Sequence, residues 1–183
     1  MTTSQDRYPL MKDSGVGWLS AVPAHWEVRR LRSVGVVDIS GIDRHEVLGH
    51  QTVKFVGTDT VYGTRVINAR TPLMTASATA AQVVRFRLSR GDVVITTDSV
   101  EPTRMWVAAL VTEDLPWITV CGYHLALIRS HATLNPRYLF WTLQANQWAG
   151  YFVSEGRGTT IIGLSSDSIA STPILLPPLR EQS

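Results

Sequence analysis

The chain has 183 residues, 44% of them apolar and six of them tryptophan, enough to bury a sizeable core in one domain. No apolar run approaches the ~18 residues of a membrane helix, and the opening Met1-Thr-Thr-Ser-Gln-Asp6 is polar, so neither a membrane span nor a signal peptide is visible and a cytoplasmic setting is expected. The net charge of +2 alone indicates no polyanionic partner, but residues 1–90 carry twelve Lys and Arg against seven Asp and Glu, while residues 91–183 carry five against eight. The basic first half is therefore a candidate phosphate-facing surface. Fifteen of the seventeen cations are arginine, whose planar fork grips phosphate or a guanine edge with two bonds. A codon bias toward arginine explains the count equally well. The single cysteine, Cys121, has no internal disulfide partner and sits in the apolar run Ile118-Thr-Val-Cys121, which predicts a buried structural thiol.

Along the chain, Trp26, Val28 and Arg30 alternate with Glu27, Arg29 and Leu31, the period of a short strand. Gly91-Asp92 is a turn signal, and the β-branched run Val93-Val-Ile-Thr-Thr97 after it reads as a core strand. Trp106–Val111, Ile118–Val120 and Leu125–Ile128 follow at strand spacing. The clearest helix starts at Asn135-Pro136, a cap residue followed by proline at the first helical position. Leu139 and Leu143, with Trp141 and Ala145, form its apolar stripe, and Gly150 is expected to end it. Ser165 or Ser166 caps a brief helix through Ala170, stopped before Pro173. Pro178 then opens the first turn of a further helix, with Glu181 near its positive end. The class is α+β.

Absences narrow the chemistry. Only two lysines occur, Lys12 and Lys54, preceded two positions earlier by Leu10 and Thr52, so the acidic-x-Lys element of a common nuclease site is missing. There is no Gly-x-x-x-x-Gly-Lys phosphate loop, and Pro177-Pro178 follows Leu176 rather than the asparagine of an adenine methyltransferase block. His45 and His50 flank Glu46 in a polar loop without further ligands at metal spacing, which predicts solvated histidines. Asp98 and Glu101 lack a metal or base partner and are expected to order a loop, although Glu101 can accept from a cytosine amino group.

Gly156-Arg-Gly-Thr-Thr160 is the best candidate for nucleic-acid contact. Its glycines let the backbone approach closely, and Arg157, Thr159 and Thr160 supply donors. An ordinary hairpin turn between Tyr151-Phe-Val153 and Ile161-Ile162 is the plain alternative. Lys54-Phe-Val-Gly-Thr-Asp-Thr-Val-Tyr-Gly-Thr-Arg65 is a second polar and aromatic segment, with a plain hairpin as its alternative, and Thr97–Arg104 is a third. Trp18 and Trp26 could stack on bases or pack against the core.

Five blocks in order resemble the specificity subunits of type I restriction-modification systems. They are Met11–Leu19 with Val22–Leu31, Gly91–Ser99, Val120–Ile128 with Tyr138-Leu139, Gly156–Ser165, and Pro173–Gln182. The resemblance covers nearly the whole chain and implies a target recognition domain, with a twisted, mostly antiparallel β-sheet core and a few packing helices. It divides the chain into an N-terminal arm and entry strand at 1–32, packed on the domain and pinned to the core by Trp18 and Trp26, the domain proper at 33–176, and the cut-short start of a spacer helix at 177–183. It implies a non-catalytic, sequence-specific binder of double-stranded DNA that reads one half of a split site. The implied partners are modification (methyltransferase) subunits and, through the assembled complex, restriction subunits. No cofactor is expected here; S-adenosylmethionine, ATP and magnesium belong to the partner subunits. DNA contacts are expected from Lys54, Tyr62, Arg65, Ser99, Glu101, Arg104, Arg157, Thr159 and Thr160. Where many relatives have Lys-Asp-Ser-Glu, this chain has Thr97-Asp-Ser-Val100 and lacks both that lysine and that glutamate, a loss for which Arg104 is expected to compensate. A module that anchors the methyltransferase with little DNA contact is the alternative, and a stand-alone enzyme a more remote one.

Overall fold

The computed structural model describes residues 8–101 and 105–183. The first half contains β1 (Met11–Lys12), β2 (Val22–Pro23), β3 (Glu27–Arg30), α1 (Leu31–Val34), β4 (Gly35–Ile39), β5 (Gln51–Val56), α2 (Thr58–Gly63), β6 (Val66–Ile67), β7 (Met74–Ala78) and α3 (Ala80–Phe86). The second contains β8 (Val93–Thr96), β9 (Asp98–Ser99), β10 (Ala108–Val111), β11 (Thr119–Cys121), β12 (Leu125–Ser130), α4 (Pro136–Gln144), α5 (Asn146–Glu155), β13 (Ile162–Gly163), α6 (Ser166–Ala170) and β14 (Pro173–Leu176), then a 3-10 turn over Leu179–Glu181.

A five-stranded sheet in the order β4-β12-β8-β10-β6 forms the centre, antiparallel except where β6 joins β10 in parallel. A second sheet, β11-β5-β7, packs beside it. Side chains of a strand alternate between its faces, and the central strands use both. Val93, Ile95, Ala108, Leu110, Ala126 and Ile128 join one core with Leu31, Leu139, Leu143, Trp148 and Phe152 from the helices. Val94, Ala109, Val111, Leu125 and Leu127 join a second core with Val53, Phe55, Ala76 and Phe86. A strand covered on both sides reads as an unbroken apolar run, which is why Val93–Thr96 is buried at every position.

The expected cap at Asn135 is present, its side chain accepting from the Arg137 N–H at 2.9 Å. The helix does not run to Gly150, however. It stops at Gln144, Ala145 is extended, and α5 carries Gly150 in its interior. A mid-helix glycine costs about 1 kcal/mol, less than is gained by burying Trp148 and Phe152 on the same helix. Trp141 also departs from the expected stripe, being 58% exposed while Leu139, Phe140 and Leu143 pack.

The two N-terminal tryptophans pack, as expected. Trp18 stacks on Tyr151 and meets Trp148 edge-on, and the Trp148 indole donates to the Pro173 carbonyl at 2.8 Å. β3 pairs with β14, so the entry strand lies beside the strand near the far end of the sequence. Ser165, rather than Ser166, caps α6 by accepting from the Ser168 N–H. Pro178 leads into the 3-10 turn, and Glu181 accepts from the Trp26 indole at 3.0 Å and contacts His25 Nε2 at 3.1 Å. Gln182 is buried and binds the Thr133 and Pro177 carbonyls and the Asn135 N–H. Cys121 is fully buried, and that burial pushes its thiol far above the usual range.

Candidate nucleic-acid interface

After β8 the chain leaves the central sheet at Thr97, and β9 pairs antiparallel with β13, Ser99 opposite Ile162 and Asp98 opposite Gly163. β13 in turn closes the glycine loop, because the Arg157 N–H donates to the Gly163 carbonyl at 3.0 Å and the Gly163 N–H to the Arg157 carbonyl at 2.8 Å. Two segments some sixty residues apart in sequence are thereby fixed side by side.

Gly158 has a φ of +129°, and a Cβ there would run into the Ile161 carbonyl oxygen, so the turn requires glycine. Arg157, Thr159 and Thr160 are exposed. The plain-hairpin alternative does not hold on its first side, since Tyr151–Val153 lies in α5. The Arg157 guanidinium donates to the Ser154 and Gly156 carbonyls, each at 3.1 Å, placing a cation at the negative end of that helix. Ser99 Oγ accepts from the Glu101 N–H at 3.0 Å and shapes the opposite loop, leaving the Glu101 side chain exposed. Arg104 lies outside the described residues.

Asp98 has a further role. Its Oδ2 lies 2.6 Å from His124 Nδ1, while the His124 carbonyl accepts from the Thr97 N–H at 3.0 Å. His124 has a φ of 63°, a left-handed conformation uncommon outside glycine. It lines an open cleft of about 400 Å³ with Asp43, Arg44, His45, Phe55, Met74 and Tyr123, among others. Gly122 makes room for this wall, because a Cβ would collide with the Phe55 ring. Sequence reasoning missed His124 and Tyr123 as contact candidates, although both stand in the quoted block Val120–Ile128; the glycine before them was the available signal.

The segment from Lys54 to Arg65 is not a plain hairpin. It runs from β5 through α2 toward β6. Lys54 points to the opposite face of β5 from Phe55 and donates to Thr75 Oγ1 at 3.1 Å, beside the 63%-exposed Trp117. Tyr62 is half-buried on α2, and Arg65 is exposed with its carbonyl accepting from the Leu110 N–H. Ser99, Glu101 and the Arg157 loop therefore share one surface, whereas Lys54 faces away from the cleft.

Most of the arginines among the described residues fall into two groups. Arg29, Arg32, Arg85 and Arg129 pair with Glu27, Asp167, Asp38 and Asp92, and Arg30 donates to the Ser171 carbonyl. Burial raises the Asp92 carboxyl above its ordinary value, partly offset by the Ser89 N–H and Arg129. Arg44, Arg65, Arg70, Arg87, Arg90 and Arg137 are exposed and form no ion pair among the described residues. Among the described residues no group of His, Cys, Asp and Glu could hold a metal ion, and no helix is long and apolar enough to cross a membrane.

No protein-family model matches the chain, and no curated protein matches it. Solved structures do. One, concerned with complex assembly and conformational transition of the type I R-M system, is 17% identical with a TM-score of 0.64 over 94% of this chain and 38% of that one. The HsdS subunit from Thermoanaerobacter tengcongensis is 17% identical with a TM-score of 0.61 over 95% and 37%. The type I restriction-modification S subunit from M. genitalium is 11% identical with a TM-score of 0.53 over 86% and 36%. This chain spans less than two fifths of the length of each. The likeness bears out the expected fold, an α+β domain in which seven of the nine strand pairings among the described residues are antiparallel.

Proposed function

We propose that this chain is a DNA-reading domain of a type I restriction-modification specificity subunit, which recognises one half of a bipartite double-stranded site and catalyses nothing itself. The observation that carries the reading is the β9–β13 ladder. It joins the Ser99–Glu101 loop to the Arg157–Thr160 loop on one exposed surface, and the fold likeness to S subunits supports it. Exposed arginines outside internal ion pairs would hold phosphates and set register, while loop side chains would read base edges in the major groove. Methyl transfer and cleavage would come from modification and restriction subunits, which would bring S-adenosylmethionine, ATP and magnesium. One domain alone would bind weakly, lacking the gain from a second linked site.

The test is duplex binding across a salt series by fluorescence anisotropy, for wild type and Arg157→Ala. The affinity of wild type should fall steeply with salt, by a slope of about 0.9 per phosphate held. Arg157→Ala should reduce that slope by about 1 if the guanidinium holds a phosphate, or abolish sequence preference if it reads a base. Binding by the variant that equals wild type at every salt concentration removes this loop from the interface and favours a module that anchors the methyltransferase.

A further inference from the structure

Building on the DNA-reading proposal, we propose that His124 is a specificity-determining residue, whose Nε2 accepts a hydrogen bond from the exocyclic amino group of an adenine or cytosine entering the cleft beside Tyr123. Asp98 Oδ2, 2.6 Å from Nδ1, is an acceptor, so in the neutral imidazole Nδ1 carries the proton and Nε2 is left with its lone pair. Nε2 has no partner among the described residues, and the side chain is 38% exposed. A tautomer fixed in this way presents one polarity only.

That polarity discriminates between bases. In the major groove adenine offers its N6 amino group and cytosine its N4 amino group, while guanine O6 and N7 and thymine O4 are acceptors and would face another acceptor. The backbone supports a dedicated role. His124 is held at a φ of 63°, with its carbonyl tied to the Thr97 N–H, and such conformations persist where surrounding structure enforces them, commonly at functional sites. The position fits as well. Asp98 belongs to β9, the strand that carries Ser99 and pairs with the strand closing the Arg157 loop, so the reader is anchored to the proposed interface itself. Asp98 is then a positioning residue, acting through the imidazole.

The experiment takes the half-site selected by the wild-type chain and varies it one base pair at a time. Each duplex is bound by wild type, His124→Gly and Asp98→Asn, with a melting profile recorded for each protein. Glycine tolerates the left-handed backbone, and Asp98→Asn preserves size while allowing its amide to donate to Nδ1 and turn Nε2 into a donor. At one position wild type should prefer adenine or cytosine by roughly tenfold. His124→Gly should lose that preference and Asp98→Asn should shift it toward guanine or thymine, with preferences elsewhere retained. Variants that melt like wild type and keep its preferences at every position, with or without a uniform loss of affinity, overturn the proposal and make the pair a structural staple. A wild-type chain that selects no element overturns the DNA-reading proposal itself. Should His124→Gly melt without cooperativity, Asp98→Asn decides alone.

Discussion

Glu181 joins the two ends of the described chain. The Trp26 indole donates to its carboxylate, and His25 lies against it, and together they hold its carboxyl below the ordinary value of 4.5. A carboxyl whose folded pKa is depressed contributes stability that is fully present above its unfolded pKa and is lost as pH falls through the folded pKa. Wild type should therefore melt above Glu181→Gln at neutral pH, and the gap should close on acidification from about pH 5 to about pH 3. Parallel melting curves over that range would assign the contact no pH-linked role. At this scale the sequence was informative where a residue acts through its own chemistry. Cys121 lay in an apolar run and is buried, and Trp18 and Trp26 pack as their place in the opening block of the resemblance suggested. His124 was opaque because its setting depends on Asp98, twenty-six positions earlier, and on a backbone angle that residue type does not dictate.

Elements with strong local signals were legible, and those decided by tertiary burial were not. The proline after Asn135 and the β-branched run after Gly91-Asp92 each announced an element the structure contains. The division of one long apolar segment into α4 and α5 was invisible, since Trp148 and Phe152 override the glycine between them. Gly150 is exposed, has no positive φ, and an added Cβ would meet nothing within 4 Å. Gly150→Ala should stabilise the protein by about 0.5–1 kcal/mol, through helix propensity and a less flexible unfolded chain. Denaturant unfolding measures it, and a loss of stability would mean that α5 is broken at this position. The two-residue strands β9 and β13 escaped sequence reasoning for a different reason. Each is too short to carry periodicity, and their pairing is visible only in three dimensions.

For the whole molecule, the order of sequence blocks anticipated an α+β domain with a mostly antiparallel sheet, and solved S-subunit structures share that fold. Sheet order was beyond the sequence, because β6 enters beside β10, and β11 beside β5, in parallel across long separations. These crossings place Tyr123, His124 and the Asp98 strand at one end of a sheet buried on both faces, a rigid support for the side chains proposed to read a base. Of the candidate contacts, Ser99, Glu101, Arg157, Thr159 and Thr160 gather there, and Lys54 does not. The most direct test of half-site reading is selection from a random duplex pool at low salt followed by sequencing, with the chain alone and again with a modification subunit. Half-site reading predicts enrichment of one short, non-palindromic element, in the same register in both arms or emerging once the subunit is added; pools that remain random in both arms would contradict it.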